Sequence, residues 1–327
     1  MISQEKVNGH AALVLQNEYL RAVVLPEKGA DICELHYLPA GVQCLMATPA
    51  GLQPPDRTPV QDFLENYEGG WQELFPNAND AASVQCLEVP FHGEVCTLPW
   101  EYQVLCDDDH ESLLHLRVSC RRTPFRLERW MRLRRSSTIL EIEGQVTNTG
   151  NEELPFVWGQ HLVLGGDFLE NGCQIETPAQ QIITLPELFE PATARLAPGQ
   201  DERWPLARGR QEGVWIDMQK VPGPEAHSHD DAFLGGFERG WLAVTNPRLK
   251  LRFILTWDEQ VYRWLTFWQP YGGADLPPLT GIYGLGIEPW VWRGNLAQAV
   301  ENGGALWLKA GEALRSWVQV GVETSSN

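Results

Sequence analysis

Residues 125–134 read Phe125-Arg126-Leu127-Glu128-Arg129-Trp130-Met131-Arg132-Leu133-Arg134. Phe125, Leu127, Met131 and Leu133 alternate with Arg126, Glu128, Arg132 and Arg134, so an extended chain carries an apolar row on one face and a charged row on the other. Beyond a short turn the pattern returns: Leu140, Ile142 and Val146 alternate with Glu141, Glu143 and Gln145. Leu249, Leu251 and Phe253 alternate with Lys250 and Arg252. Further strands are expected over 12–15, 20–25, 32–37, 113–120, 214–218, 241–245, 262–268, 282–288 and 314–322. Asn148-Thr149-Gly150-Asn151, Asn246-Pro247 and Gly303-Gly304 supply the turns between them. With 30 Gly and 23 Pro there is little room for long helices. Two short ones are expected. One starts at the capping box Thr58-Pro59-Val60-Gln61 and closes at Gly69-Gly70; the other runs from Asn295 to Glu301. No repeat or linker divides the chain, so the reading is all-β: one large antiparallel sandwich domain over residues 1–327.

Composition narrows the function. Of the 327 residues 43% are hydrophobic and 21% charged, as in ordinary soluble globular proteins. Lys and Arg number 25 against 43 Asp and Glu, a net charge of −18. A field of that sign repels phosphate backbones and anionic lipid, so the expected partner is a neutral small molecule, with no nucleic acid and no membrane. The clustered Arg126, Arg132 and Arg134 share one strand face and read as a solvated sheet surface. Seven cysteines without a C-x-x-C spacing suggest neither a disulfide framework nor a zinc cradle. The start MISQEKVNGH lacks the order of a signal peptide, and no apolar run approaches the ~18 residues of a membrane span. The expectation is a cytoplasmic protein, monomeric or homodimeric.

Several segments carry residues suited to chemistry. Fourteen Trp suit carbohydrate, because indole faces stack on the C–H faces of sugar rings; most read as core, but Trp71, Trp268 and Trp290 sit beside polar residues and are candidate site walls. Tyr67-Glu68-Gly69-Gly70-Trp71-Gln72-Glu73-Leu74-Phe75-Pro76-Asn77 has no period and reads as a loop, either a structural turn or a polyol-binding segment. His92 lies in Phe91-His92-Gly93-Glu94. His161 lies within the apolar strand Val157–Leu164, where a buried imidazole must find partners or stay neutral. Glu288 ends the Gly-rich run Gly284-Leu285-Gly286-Ile287-Glu288-Pro289-Trp290. Burial there raises a carboxyl pKa toward general-base use, and the two glycines leave room for a ligand. His227-Ser228-His229-Asp230-Asp231 has imidazoles at a metal-binding spacing, but with no third one nearby a polar loop is preferred and no metal is expected. No G-x-G-x-x-G opens a βαβ unit, and there is no P-loop and no G-x-S-x-G.

The order of these segments resembles the galactose mutarotase-like superfamily, which includes the aldose 1-epimerases. The resemblance runs over most of the chain, from Gly69–Asn77 through Phe91–Glu94, Trp158-Gly159-Gln160-His161 and Asp230-Asp231-Ala232-Phe233 to Ile287-Glu288-Pro289 and a closing Leu308–Glu312 turn. It implies a β-supersandwich whose concave cleft binds a sugar without a cofactor. By that likeness His161 is the acid that protonates the ring oxygen and Glu288 the base for the C1 hydroxyl. His92 polarises the ring side, Asp230, with Asp231 beside it, holds a hydroxyl, and Gln269 adds a further contact. Where the family carries an Asn-Arg pair, this chain reads Gly69-Gly70-Trp71-Gln72-Glu73, so Gln72, Glu73 or Asn77 is expected to substitute. The lack of Arg there argues against a hexose phosphate, which wants a bidentate clamp. Two other readings stay open: a non-catalytic sugar-binding or sensor protein, and a polysaccharide lyase or glycosidase-like enzyme drawing on Tyr271 or Tyr283.

Overall fold

Two large sheets carry most of the chain; the structure, a computed structural model, describes residues 1–55 and 62–325. The larger sheet has 12 strands. Its order runs from Ile2–Val7 through His10–Gln16, Leu20–Leu25, Asp31–Tyr37, Trp71–Leu74, Gly159–Leu164, Leu285–Trp290, Trp264–Tyr271 and Ser228–Gly235 to Gln181–Ile183 and Asp201–Arg203, with Val42–Gln43 alongside Asp31–Tyr37. The second sheet has eight strands, including Gly240–Asn246, Leu251–Trp257, Ala313–Thr324, Ile139–Asn148, Phe125–Arg134 and Glu111–Ser119. The architecture is the large antiparallel β-sandwich that the alternation predicts.

Phe125–Arg134 shows why. Phe125, Leu127, Met131 and Leu133 are buried against the larger sheet, while Arg126, Arg132 and Arg134 lie outside, ion-paired with Glu128, Glu111 and Glu141. The helix at 295 forms as Leu296–Glu301, with a reciprocal capping box in which the Asn295 side chain accepts from Gln298 N–H and the Gln298 side chain accepts from Asn295 N–H, both at 3.0 Å. The Thr58–Gln61 helix start lies outside the described residues. The 67–77 segment is not a continuous loop. Trp71–Leu74 is a strand with all four residues buried, and a strand covered on both faces loses the alternation by which it would be recognised.

One polar assembly crosses the sandwich. Arg129 occupies an odd position of its strand, so it points inward, not to the charged surface; it is 2% exposed and its guanidinium reaches Glu73 Oε2 at 3.3 Å. Glu73 Oε1 accepts from Trp158 Nε1 at 2.6 Å and from Gln160 Nε2 at 2.8 Å, and Gln160 Oε1 accepts from Trp71 Nε1 at 2.8 Å. Removing one member of a buried charge pair strands the other in a medium that cannot solvate it. Arg129→Met is therefore expected to lower the unfolding free energy by about 3–5 kcal/mol. Combining it with Glu73→Gln, which keeps an acceptor for Trp158 and Gln160, should recover more than half. Urea denaturation of the three proteins checks both.

Candidate active site

Five adjacent strands of the larger sheet build one polar face. Gln72 pairs across from His161, Thr266 from Glu288, and Asp231 from Trp268. The pairs Gly159↔Trp290 and Val163↔Gly286 bring His161 level with Glu288. Because side chains alternate along each strand, Gln72, His161, Glu288, Trp268, Trp290 and Asp231 all stand on this face. His161 Nε2 lies 3.9 Å from Glu288 Oε1.

Burial controls both groups. It pushes the His161 imidazole down to about 4, and it lifts the Glu288 carboxyl well above the usual range, with the neighbouring Asp231 charge adding to the rise. Asp231 stands half-buried at the rim, where burial and then the Asp230 charge push it up to about 7 against an opposing hydrogen bond from the Ala232 backbone. His92 is held as a single tautomer. Its Nδ1 accepts the Asn79 N–H at 2.9 Å, so the proton sits on Nε2, and its ring lies 5.4 Å from that of His161 and 5.9 Å from Trp290. His92 adopts φ +58° and is locked there by its own N–H to Asn79 O at 2.9 Å.

The pair is not on the floor of an open cleft. The rings of Phe63 and Tyr67 stand edge-on over His161 at 5.5 and 5.3 Å, and His161 and Glu288 are 6% and 1% exposed. Trp268 closes another side, 5.9 Å from His161. Its indole N–H donates to His229 Nε2 at 2.6 Å, and His229 Nδ1 in turn donates to Glu190 Oε2 at 2.5 Å. His229 therefore orients a wall of the site. It does not converge with His227, whose Nδ1 bonds Gly272 O at 2.9 Å. Among the described residues no three His, Cys, Asp or Glu side chains are grouped to hold a metal ion.

Several expected contacts lie elsewhere. Trp71 and Glu73 alternate onto the inter-sheet face and belong to the Arg129 assembly. Asn77 is a latch: its Nδ2 donates to Asp80 O and Pro90 O at 2.8 and 2.9 Å, and its Oδ1 accepts from Leu296 N–H at 2.7 Å. Asp230 and Gln269 face away from Asp231 and Trp268 and clamp Arg195, which reaches Asp230 Oδ2 at 2.6 Å and Gln269 Oε1 at 2.8 Å. Tyr283 donates its hydroxyl to Pro222 O and Tyr271 lies beneath Arg195, so neither joins the pair. Gly286 leaves room, but for Glu288 itself: a Cβ there would stand 2.4 Å from Glu288 Oε1. Phe63, Tyr67, Glu190 and Thr266 escape the sequence reading. The only signal for Tyr67 is its place at the head of the aperiodic 67–77 segment.

Solved structures match this arrangement of sheets over nearly its whole length. The Slr1438 protein from Synechocystis superposes with a TM-score of 0.71 at 19% identity, covering 98% of this chain and 99% of that one. A galactose mutarotase-like protein from Clostridium acetobutylicum gives 0.71 at 16% identity, over 99% and 98%. A candidate aldose 1-epimerase from Klebsiella pneumoniae gives 0.74 at 14% identity, over 99% and 83%. The fold is thus that of the galactose mutarotase-like proteins. Within that class the chain belongs to the family described as domain of unknown function DUF4432, whose model matches residues 7–322. No curated protein matches the sequence. No described helix is long and apolar enough to cross a membrane.

The crowding at Gly286 makes a sharp test. Gly286→Ala is expected to displace the Glu288 carboxylate and, because the new Cβ would also stand 2.8 Å from Trp268 Cβ on the paired strand, to push on the Trp268 wall. If the site turns over a sugar, kcat should fall by about tenfold or more, and KM should rise as well through the shifted Trp268 wall.

Proposed function

We propose that this protein is a mutarotase-type isomerase that interconverts the α and β anomers of a free aldose through ring opening, acting as one domain without a cofactor. One observation carries the reading: His161 and Glu288 face each other at 3.9 Å on the face that, in galactose mutarotase-like proteins, is expected to be the sugar side. Their proton affinities are both displaced by burial. Ring opening needs one proton delivered to the ring oxygen and one taken from the C1 hydroxyl. The C1–ring-oxygen bond then breaks, leaving an aldehyde at C1 and a hydroxyl on the chain. Rotation about C1–C2 and reclosure give the other anomer. No redox step and no leaving group are involved.

A couple that shares one proton performs both transfers. In the covered site that proton resides on Glu288, with His161 as the free base. A sugar's hydroxyls bring polarity, favouring the ion-pair form in which His161 is the acid and Glu288 the base. His92 Nε2–H is placed to support the ring side. Phe63, Tyr67 and Trp268 supply the apolar walls, and Asp231 serves as the rim acceptor in place of Asp230.

Anomeric exchange followed by NMR over a panel of free aldoses tests the assignment. Glu288→Gln and His161→Gln should each slow exchange by at least about 10²-fold without loss of thermal stability, and full activity in either would remove the pair from catalysis. The one-proton couple exists only above the His161 value and below that of Glu288. The ratio kcat/KM should accordingly collapse as pH falls through about 4, where His161 takes up a second proton. It should decline on the alkaline side only above the ordinary carboxylate range, as Glu288 ionises.

A further inference from the structure

The cover over the pair contains a second polar cluster that the acid–base step does not use. Lys28 sits between the strands Leu20–Leu25 and Asp31–Tyr37; its ammonium donates to Asp31 Oδ2 at 2.8 Å and to Glu68 Oε2. Each carboxylate thus spends one oxygen. The other oxygens, Asp31 Oδ1 and Glu68 Oε1, are buried without a hydrogen-bond partner. So are Gln72 Oε1 and the Tyr67 hydroxyl, on side chains 1% and 5% exposed. Native proteins rarely leave buried polar atoms unpaired, because each such atom forfeits its hydration with nothing in return. Four of them around one lysine point to an absent partner. Lys28, Asp31, Tyr67 and Gln72 line a cavity of about 280 Å³, near the lower end of ligand-pocket sizes. Gln72 is the cross-strand neighbour of His161 and Tyr67 stands over it, so the cavity begins where the acid–base pair ends.

Charge specifies what fits. Lys28 contributes one positive charge; Asp31, whose carboxyl burial and then the Glu68 charge push up to about 7 against the Lys28 ammonium, and Glu68 behind the wall both oppose it. Arg129 behind them is matched by Glu73, and Glu27 and Arg121 at the mouth oppose each other. The wall therefore carries no excess positive charge, and the unpaired carboxylate and amide oxygens call for donors. Arg263 and Arg293, the arginines a phosphorylated sugar would call on, are engaged elsewhere: Arg263 donates to Gly304 O, and Arg293 stacks on Trp264 and Trp292.

We propose that this cavity is the subsite for the far end of the sugar, and that it accepts a substrate presenting hydrogen-bond donors and no negative charge: the hydroxyls of a neutral aldose or the ammonium of an amino sugar. The proposal rests on the ring-opening reading and names its substrate class. A phosphate or carboxylate at that end would meet acceptor oxygens, with Lys28 already held by two carboxylates.

The test is a panel of neutral aldoses, 2-amino-2-deoxyaldoses, aldose 6-phosphates and uronic acids, scored by anomeric exchange and by ligand-induced rise in Tm. The first two classes should exchange and stabilise the protein, and the anionic classes should bind at least about tenfold more weakly. Tyr67→Phe deletes an unpaired atom alone; Gln72→Met deletes the unpaired Oε1 together with Nε2, which donates to Gly69 O at 2.6 Å. Tyr67→Phe should leave the Tm of the free protein unchanged or higher, whereas Gln72→Met should lower it by the lost bond to Gly69 O; both should raise KM about tenfold, with kcat nearly constant. Tight binding of phosphates or uronates, or variants with unchanged KM, would overturn the subsite while leaving the ring-opening reading intact. If no sugar exchanges, that reading fails and stabilisation alone decides. A Tm rise with neutral or amino sugars that disappears in Tyr67→Phe upholds the subsite, and no rise with any class overturns it.

Discussion

The buried contact between Arg129 and Glu73 is the constraint on which the site's geometry depends. It ties the eight-stranded sheet to the strand Trp71–Leu74, and through Trp158 and Gln160 to the approach and first turn of the His161 strand. Alternation does the rest: with Glu73 and Gln160 pinned inward, Gln72 and His161 must face outward together. A buried ion pair is weak evidence of net stability, since its attraction is offset by lost hydration. Its value here is register, because a slip of one residue would turn Gln72 between the sheets and Glu73 onto the site face. Arg129 is also held by Ala30 O, so the same guanidinium fixes the turn beside Lys28.

On the opposite face, low polarity governs. A carboxyl and an imidazole taken out of water both drift toward their neutral forms, one by rising and the other by falling. The aromatic cover that displaces water therefore also sets where the shared proton rests. On the proposed reading, His161 as acid and Glu288 as base describe the couple with a polar ring beside it, whereas burial alone favours the reverse order. The Glu190–His229–Trp268 chain belongs to the same design, since it fixes an indole against His161 without placing a charge next to it.

Much of the fold was legible because one sheet face is solvated: Phe125–Arg134 and Ile139–Asn148 alternate cleanly, and so read as strands. His161 and Glu288 were legible for the opposite reason, as single ionisable residues in otherwise apolar runs. Trp71–Leu74 was not, because polar groups serve both of its faces, one in the inter-sheet assembly and one in the site. The choice between Asp230 and Asp231 was equally hidden. It is decided by strand register, a property of the partner strand Trp264–Tyr271 and not of the motif itself. Glu190 and Lys28 come from turns, where no periodicity marks a side chain as inward, and Gly286 reads as empty space until the position of Glu288 is known.

The two carboxylates on Lys28 have a chemical meaning beyond ligand fit. An open-chain sugar carries an aldehyde, and an aldehyde beside a primary amine condenses with it, losing water and leaving the amine covalently blocked. Lys28 is an amine lining a cavity with Gln72, the cross-strand neighbour of His161. Asp31 and Glu68 hold it as an ammonium against the pull of burial, raising its proton affinity above the ordinary lysine value. An ammonium nitrogen has no lone pair to attack a carbonyl. In a ring-opening site, the buried charges around Lys28 would thus act as a safeguard against self-inactivation by the intermediate.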